Sequence, residues 1–464
     1  MNVRFKWRHY LGWIKARVGA IFAGAVLYAF SVSTFGVPSF ARQTGFECTA
    51  CHLSWPELTS VGRQFKLGGY TLLRDSKGER PLLPVGDDQP PLIPLAGMLQ
   101  GSLTSTQNTS TASGGDFPRN NDFVLQQASG FLAGRIVEHF GAFAQWTYDG
   151  VEHHSSVDNV DLRLASRYEG NGLDVSFGAT VNNNPTVSDI YNSTPAWGFP
   201  FASSSVAIAP NAATLIDGGL AQQVVGLGGY AMWNRTLYTE LAGYRTADGA
   251  FSIFRAGTDK TTDAVLDGGA PYWRLAFQHV RDEGTHSAMI GTYGLVARKF
   301  PDSLDPTGPS DRYRDIGIDA QYQYVTDRNR FSAQLNWISE HQTLDGTFAA
   351  GGSSNPTDTL HSFKGKVTYY YDQKYGATVQ YFRTTGTADD ALYNTGEPLT
   401  GSVNGSPNSN GYVAEIDWLP RRDLRFMLQY TGYREFNGAH SNYDGFGRNA
   451  RDNNTLYFVV WWML

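Results

Sequence analysis

The chain has 464 residues, with 37 Lys and Arg against 43 Asp and Glu, a formal charge of −6. It carries 25 Tyr, 27 Phe, 11 Trp and 51 Gly, but only two Cys. The acidic balance gives no basis for a nucleic-acid partner, and a mean hydropathy of −0.33 does not suit a bundle of membrane helices.

Residues 1–17 hold five Lys or Arg and no acid, residues 18–30 are a 13-residue apolar run, and Ser39–Phe40–Ala41 closes a stretch of small residues. That order is a secretory signal. The run is too short to span a bilayer comfortably. Cleavage is expected after Ala41, with Gly36 as the alternative, leaving 32 Lys and Arg against 43 acids. The organisation read from the sequence is a signal at 1–41, a small head and linker at 42–94, and a barrel at 95–464.

The head opens with "TGFECTACHLSW", residues 44–55, which contains both cysteines, Cys48 and Cys51, followed by His52. Cys-x-x-Cys-His is the attachment signature of one covalent haem c: the thiols add to the vinyl groups and the imidazole binds iron. A redox dithiol needs a strand–helix context that is absent here. A structural zinc needs four ligands, and no second Cys pair exists. The following "PELTSVGRQFKLGGY" predicts a short helix beginning at Pro56, with Leu58, Val61 and Phe65 on one face and Gly68–Gly69 as its stop. Residues 71–94, rich in Pro and charge, read as a linker.

From Leu95 onward the period is two. In "DIGIDAQYQY", Ile316, Ile318, Ala320, Tyr322 and Tyr324 alternate with Asp315, Gly317, Asp319, Gln321 and Gln323. A soluble sandwich would bury the apolar faces on each other. Strands of about ten residues, with charge on one face throughout, fit a transmembrane barrel instead. Seven short turns are expected near 137–139, 170–172, 234–235, 281–284, 327–329, 372–374 and 420–423. Eight longer loops alternate with them, around 108–121, 150–157, 182–220, 248–269, 299–311, 344–357, 386–410 and 437–452. Fifteen connections require sixteen strands, with short periplasmic turns and long outer loops. The prediction is therefore an all-β fold: a 16-stranded transmembrane barrel in the outer membrane of a Gram-negative bacterium, in contact with its lipid. The lumenal charges would be Asp161, Arg163, Arg167, Asp315, Asp319, Lys364, Lys366, Glu415 and Asp417.

A haem c iron takes a sixth ligand, often Met. Met98, Met232, Met289, Met427 and Met463 are available. Met98, the first after the haem motif, lies in "PLAGMLQGSLT", where Leu95, Leu99 and Leu103 mark the lipid face and turn Met98 into the lumen. As distal ligand it would place the haem roughly 10 Å inside the rim, at about 3.4 Å per residue, and the small helical head would plug the lumen. His153–His154, with Glu152 and Asp158 nearby, could hold iron transiently but reads better as a solvated outer loop.

Two stretches resemble the fused outer-membrane monohaem cytochrome–porins of iron-oxidising bacteria. They are "FARQTGFECTACHLSWPELTSVGRQFKLGGY" at 40–70 and "NNNPTVSDIYNSTPAWGFPF" at 182–201. The order of signal, haem motif, Pro-rich linker, "PLAGM" and barrel is similar as well. The resemblance implies that extracellular Fe(II) is oxidised and that electrons pass to a periplasmic carrier such as a cytochrome or a copper protein. On it, Cys48 and Cys51 hold the haem and His52 is the proximal ligand. The other readings are a conduit with a different donor or acceptor, and a haem-plugged solute porin. No nucleophile elbow or metalloprotease motif supports hydrolysis.

Overall fold

The computed structural model describes residues 37–73, 94–110, 117–257 and 264–464. Residues 1–36 of the signal expected at 1–41, and most of the linker expected at 71–94, lie outside the described residues; residues 37–41 are described. Sixteen antiparallel strands close into one barrel. The first eight are β1 (Leu95–Thr106), β2 (Phe123–Val137), β3 (Phe140–Asp149), β4 (His154–Gly170), β5 (Leu173–Asn182), β6 (Val224–Trp233), β7 (Leu237–Thr246) and β8 (Ala270–Arg281). They continue as β9 (His286–Lys299), β10 (Asp311–Val325), β11 (Asn329–Thr343), β12 (Thr357–Tyr371), β13 (Tyr375–Gly386), β14 (Ser409–Arg421), β15 (Leu424–Glu435) and β16 (Thr455–Met463).

Closure is made by β16 on β1, in register from Thr455 opposite Thr106 to Met463 opposite Met98. Reciprocal Gly97–Leu464 backbone bonds of 2.7 and 2.8 Å finish the seam. No strand of the barrel is left with an unpaired edge, as a hydrocarbon surround demands. The strands run from 9 to 17 residues, longer in places than the ten expected.

The pattern inside each strand decides against a sandwich. In β10 the polar Asp315, Asp319, Gln321 and Gln323 are buried, while Ile316, Ile318 and Tyr322 are exposed. Leu227, Leu241, Ile290 and Val379 are 60–70 % exposed on the same outer surface. A soluble fold would pay heavily for that inversion, whereas it is the required surface where the solvent is lipid. Aromatic rings such as the stacked pair Trp418–Phe426, 5.3 Å apart, stand near the short-turn end. The seven turns fall where the sequence places them. Asn171–Gly172, Asn234–Arg235 and Asp372–Gln373 have both residues at positive φ, a turn geometry whose twist matches that of the flanking strands. This is an outer-membrane β-barrel of porin-like architecture.

The head lies inside the barrel. It comprises α1 (Pro38–Thr44), α2 (Cys48–Cys51), a minimal hairpin pairing His52–Ser54 with Glu57–Leu58, and α3 (Ser60–Leu67). The helix predicted from Pro56 starts at Ser60 instead, because Glu57–Leu58 are claimed by the hairpin and Thr59 supplies the N-cap. Val61 lines a different cavity from Leu58 and Phe65 and is exposed. The outer loop expected around 182–220, which spans 183–223 between β5 and β6, also folds into the lumen: Ile190, Tyr191, Ser193 and Thr194 are buried.

Candidate functional site

The chain around the cysteines is held by local chemistry. Gly45, at φ 65°, ends α1 by donating its N–H to Ala41. Gln43 ties that helix to both its neighbours: Nε2 donates to the Tyr70 and Leu72 carbonyls, and Oε1 accepts from the Arg135 N–H of β2. The Thr59 hydroxyl accepts from Gly62 N–H at 3.3 Å and donates to the Ala50 carbonyl at 2.5 Å, joining α3 to the Cys-bearing turn. A Cβ on Gly62 would collide with the Cys51 carbonyl oxygen, so glycine is required for this close packing. Arg330 of β11 donates to the carbonyls of Thr49 and His52. Glu57 is ion-paired to Lys366 of β12 at 3.1 Å and accepts from Gln323 of β10 at 2.9 Å. Arg63 and Tyr70 reach Gln323 and Asp161 of the wall at 2.8 and 2.7 Å.

Cys48, Cys51, His52 and Met98 all line one cavity of about 500 Å³ between the head and the wall, within the size range of cofactor pockets. Its wall carries a continuous aromatic belt. Trp55 meets Trp461 at 5.5 Å, Trp461 meets Phe201 at 6.3 Å, Phe201 stacks on Trp197 at 6.2 Å, and Phe143 then links Trp197 to Phe131. Toward the outer side the lining turns polar, with Gln127, Gln145, Thr147, Asp149, Asp158 and Asn159. Met98 is buried and faces this space, as the alternation of β1 predicts. Met463, its cross-strand partner, does the same. Gln100 Nε2 donates to Met98 Sδ at 3.5 Å, and Trp461 Nε1 to Met463 Sδ at 3.3 Å. Met232 and Met289 pack elsewhere with Leu67 and Ile190, and Met427 faces a small neighbouring space.

The residues present fit a haem c. Two thiols one helical turn apart and the adjacent imidazole face one space, aromatic on one side, that also holds a thioether. The His52 Nδ1 is buried without a hydrogen-bond partner, although the backbone of Glu57 and Pro56 lies close enough to favour its protonated form. Burial outweighs that and pushes the imidazole down to about 4, so it is neutral, the state that ligates a metal. Burial also pushes the Cys51 thiol up to about 11, opposite to the depressed pKa of a reactive dithiol. Among the described residues there is no group of three or more His, Cys, Asp or Glu that could hold a metal ion. His153 and His154 do not converge with Asp158: His153 contacts Arg119 and Tyr148, His154 lies 3.9 Å from Glu152, and Asp158 lines the cavity.

The inner loop is locked to the wall by buried charge. Arg274 of β8 donates to both Asp319 carboxylate oxygens at 3.2 and 2.9 Å, and its Nε lies 3.1 Å from Asp189 Oδ1, an ion pair without hydrogen-bond geometry. Ser193 donates to Asp319 at 2.5 Å, Ser188 donates to Glu240 at 2.5 Å, and Lys364 pairs with Asp217 at 2.7 Å. Most of the charges read as lumenal therefore bind the head or the loop. Glu415 and Asp417 are exceptions, paired with Arg425 of the adjacent strand at 2.7 and 2.8 Å, and so is Arg167, which sits exposed near a short turn, paired with Asp174 at 2.7 Å.

The sequence reading missed the aromatic belt, and counted Met463 among the available methionines without placing it opposite Met98. A signal existed: "YFVVWW" in β16 is apolar on both faces, with Tyr457, Val459 and Trp461 buried inside the barrel and Leu456 exposed outside. An apolar lumenal face marks a dry space behind it.

No protein-family model and no curated protein matches the chain. Among solved structures it is similar to the outer membrane channel DcaP of Acinetobacter baumannii, at 11 % identity and TM-score 0.44, over 80 % of this chain and 96 % of that one. OprB of Pseudomonas putida gives 11 % and 0.44, over 80 % and 94 %. The anion-selective porin from Comamonas acidovorans gives 11 % and 0.40, over 80 % and 98 %. These likenesses say nothing of the cavity or its contents.

Proposed function

We propose that the chain is an outer-membrane c-type cytochrome fused to its barrel, which passes electrons from extracellular Fe(II) to a periplasmic carrier such as a cytochrome or a copper protein. The observation that carries this reading is the convergence of Cys48, Cys51, His52 and Met98 on one aromatic-walled cavity inside a closed barrel. Cys48 and Cys51 would hold one haem through thioether bonds, with His52 as proximal and Met98 as distal ligand. When bound, that group supplies a one-electron iron couple.

The chain's own residues do the rest. The aromatic belt makes one side of the cavity apolar. The inner loop and the head fill the lumen from opposite ends and restrict bulk passage of ions. Iron chemistry would stay outside, while a haem held by Cys48, Cys51 and His52 would shorten the crossing of the apolar band of about 25 Å. Adding ferrous iron to the purified, haem-bearing protein is expected to reduce the haem, read by absorbance. An unchanged spectrum across the working pH range sinks Fe(II) as donor.

Met98 and Met463 make separable predictions. Met98→Ala is expected to convert the haem from six-coordinate to high-spin and to lower its midpoint potential, since Met ligation raises it. Met463→Ala is expected to leave the coordination spectrum as in the wild type. The reverse pattern assigns the distal position to Met463.

A second reading, a solute channel with the haem as plug, is favoured by one feature: a cavity of about 1140 Å³ beneath α3, lined by Arg63, Gln64, Arg135, Arg167 and Arg235. Single-channel current in planar bilayers separates the two. The conduit is expected to pass far less current than an open barrel, and a porin-sized current favours the channel.

A further inference from the structure

Lys66, the seventh residue of α3, is buried on the wall of the haem cavity. A buried ammonium is costly unless its three donors are satisfied, and the common remedy is a carboxylate. Here none of the described carboxylates forms an ion pair with it. Its Nζ donates instead to the Val187 carbonyl at 2.8 Å, the Asp189 carbonyl at 2.7 Å and Asn192 Oδ1 at 2.9 Å. It also stands 4.3 Å from the centre of the Trp197 ring. All three hydrogen-bond acceptors are neutral, so the site satisfies the donors without cancelling the charge.

The nearby acids are engaged elsewhere. Asp189 faces Arg274 at 3.1 Å, Asp161 pairs with Arg163 at 2.8 Å, and Glu57 pairs with Lys366 at 3.1 Å. Glu240 accepts from Ser188 and Tyr238 and does not line the cavity. Of the other charged residues on the lining, Glu47 is paired with Arg422, and Asp149 and Asp158 lie at the polar outer end. On the aromatic part of the wall, Lys66 is the charge left over.

We propose that Lys66 is a potential-setting residue: its ammonium, held by neutral oxygens in a dry wall, favours the reduced state of the redox group and raises its midpoint potential. This rests on the haem reading above. A positive charge in a low-dielectric wall stabilises an added electron far more than it would in water. A high potential is what a carrier needs to take electrons from Fe(II). The charge also explains the acceptors chosen, since an aspartate at position 192 would hold the lysine more tightly while erasing its field.

The test is a spectroelectrochemical titration of the haem-bearing protein at pH 6, below the value of about 7 to which burial and the Arg163 guanidinium pull the amine. Lys66→Gln is expected to shift the midpoint potential negative with the coordination spectrum unchanged, and Lys66→Arg to hold it near the wild-type value. Asn192→Asp, which keeps the lysine and adds a pairing charge, is expected to shift it negative as well. It also serves if Lys66→Gln fails to assemble. A wild-type potential in Lys66→Gln, or in Asn192→Asp where Lys66→Gln does not assemble, overturns the role of Lys66. So does a fall in Lys66→Arg equal to that in Lys66→Gln. A wild-type chain without covalent haem overturns the cytochrome reading itself, and this inference with it.

Discussion

Replacing Cys48 and Cys51 together by Ala is expected to reduce covalent haem to background while leaving a folded barrel. Both side chains belong to the single turn α2, which takes no part in the ladder; the wall is closed by strand pairing from β1 round to β16. The contacts that seat the head use other groups. Arg330 binds the backbone carbonyls of Thr49 and His52, and Glu57 and Arg63 reach the wall through their own side chains. Haem staining of a denaturing gel reads the covalent bond, and the shift in gel migration on boiling reads the barrel. Haem stain retained in the double variant would place attachment elsewhere and remove the basis of the cytochrome reading. Either single variant keeps one thioether and is expected to give a reduced but measurable stain. His52→Ala should keep both bonds and lose the ligand, so its stain persists while its absorption spectrum changes.

Most of the wall is legible in the sequence because lipid imposes a simple rule on it. An apolar residue at every second position, interrupted by Asn-Gly or Asp-rich turns, fixes strand number, register and direction at once, and Ile316, Ile318 and Tyr322 lie outside as that rule requires. The same rule turns Met98 inward. The inner loop obeys no such period. "NNNPTVSDIYNSTPAWGFPF" is polar and rich in Pro and Asn, and reads as a solvated loop because nothing local says otherwise. Its direction is decided by partners far away in the chain: Ser193 bonds Asp319, 126 positions on, and Lys66 bonds Asn192, 126 positions back. Pairing of that kind is not written in any window of sequence. The start of α3 failed for a milder reason, since Pro56 is an acceptable first helical residue and only the hairpin partner of Leu58, His52, rules it out.

Arg274→Met is expected to cost about 3–5 kcal/mol and to loosen the inner loop, because removing one member of a buried charge cluster strands the others. Without the guanidinium, Asp189 and Asp319 are left facing one another's side of the cluster with no cation between them. Asp319 keeps Ser193 at 2.5 Å, and Asp189 keeps the Tyr191 and Ser193 N–H groups at 2.9 Å. Those bonds solvate the carboxylates but cannot neutralise them. The loop relieves the strain by moving Asp189 toward water, and with it go the acceptors of Lys66 and the Trp197 ring that closes the cavity. The variant should therefore combine a lower boiling threshold in gel migration with a measurable single-channel current, two readouts that a local packing defect would not join. Adding Asp189→Asn and Asp319→Asn to it is expected to recover most of the stability, since the penalty belongs to the stranded charges and not to the missing side chain. Wild-type heat resistance and wild-type current in Arg274→Met would show that the loop is held from the head side, by Lys66 and its three oxygens, and that the buried arginine is only one of two locks.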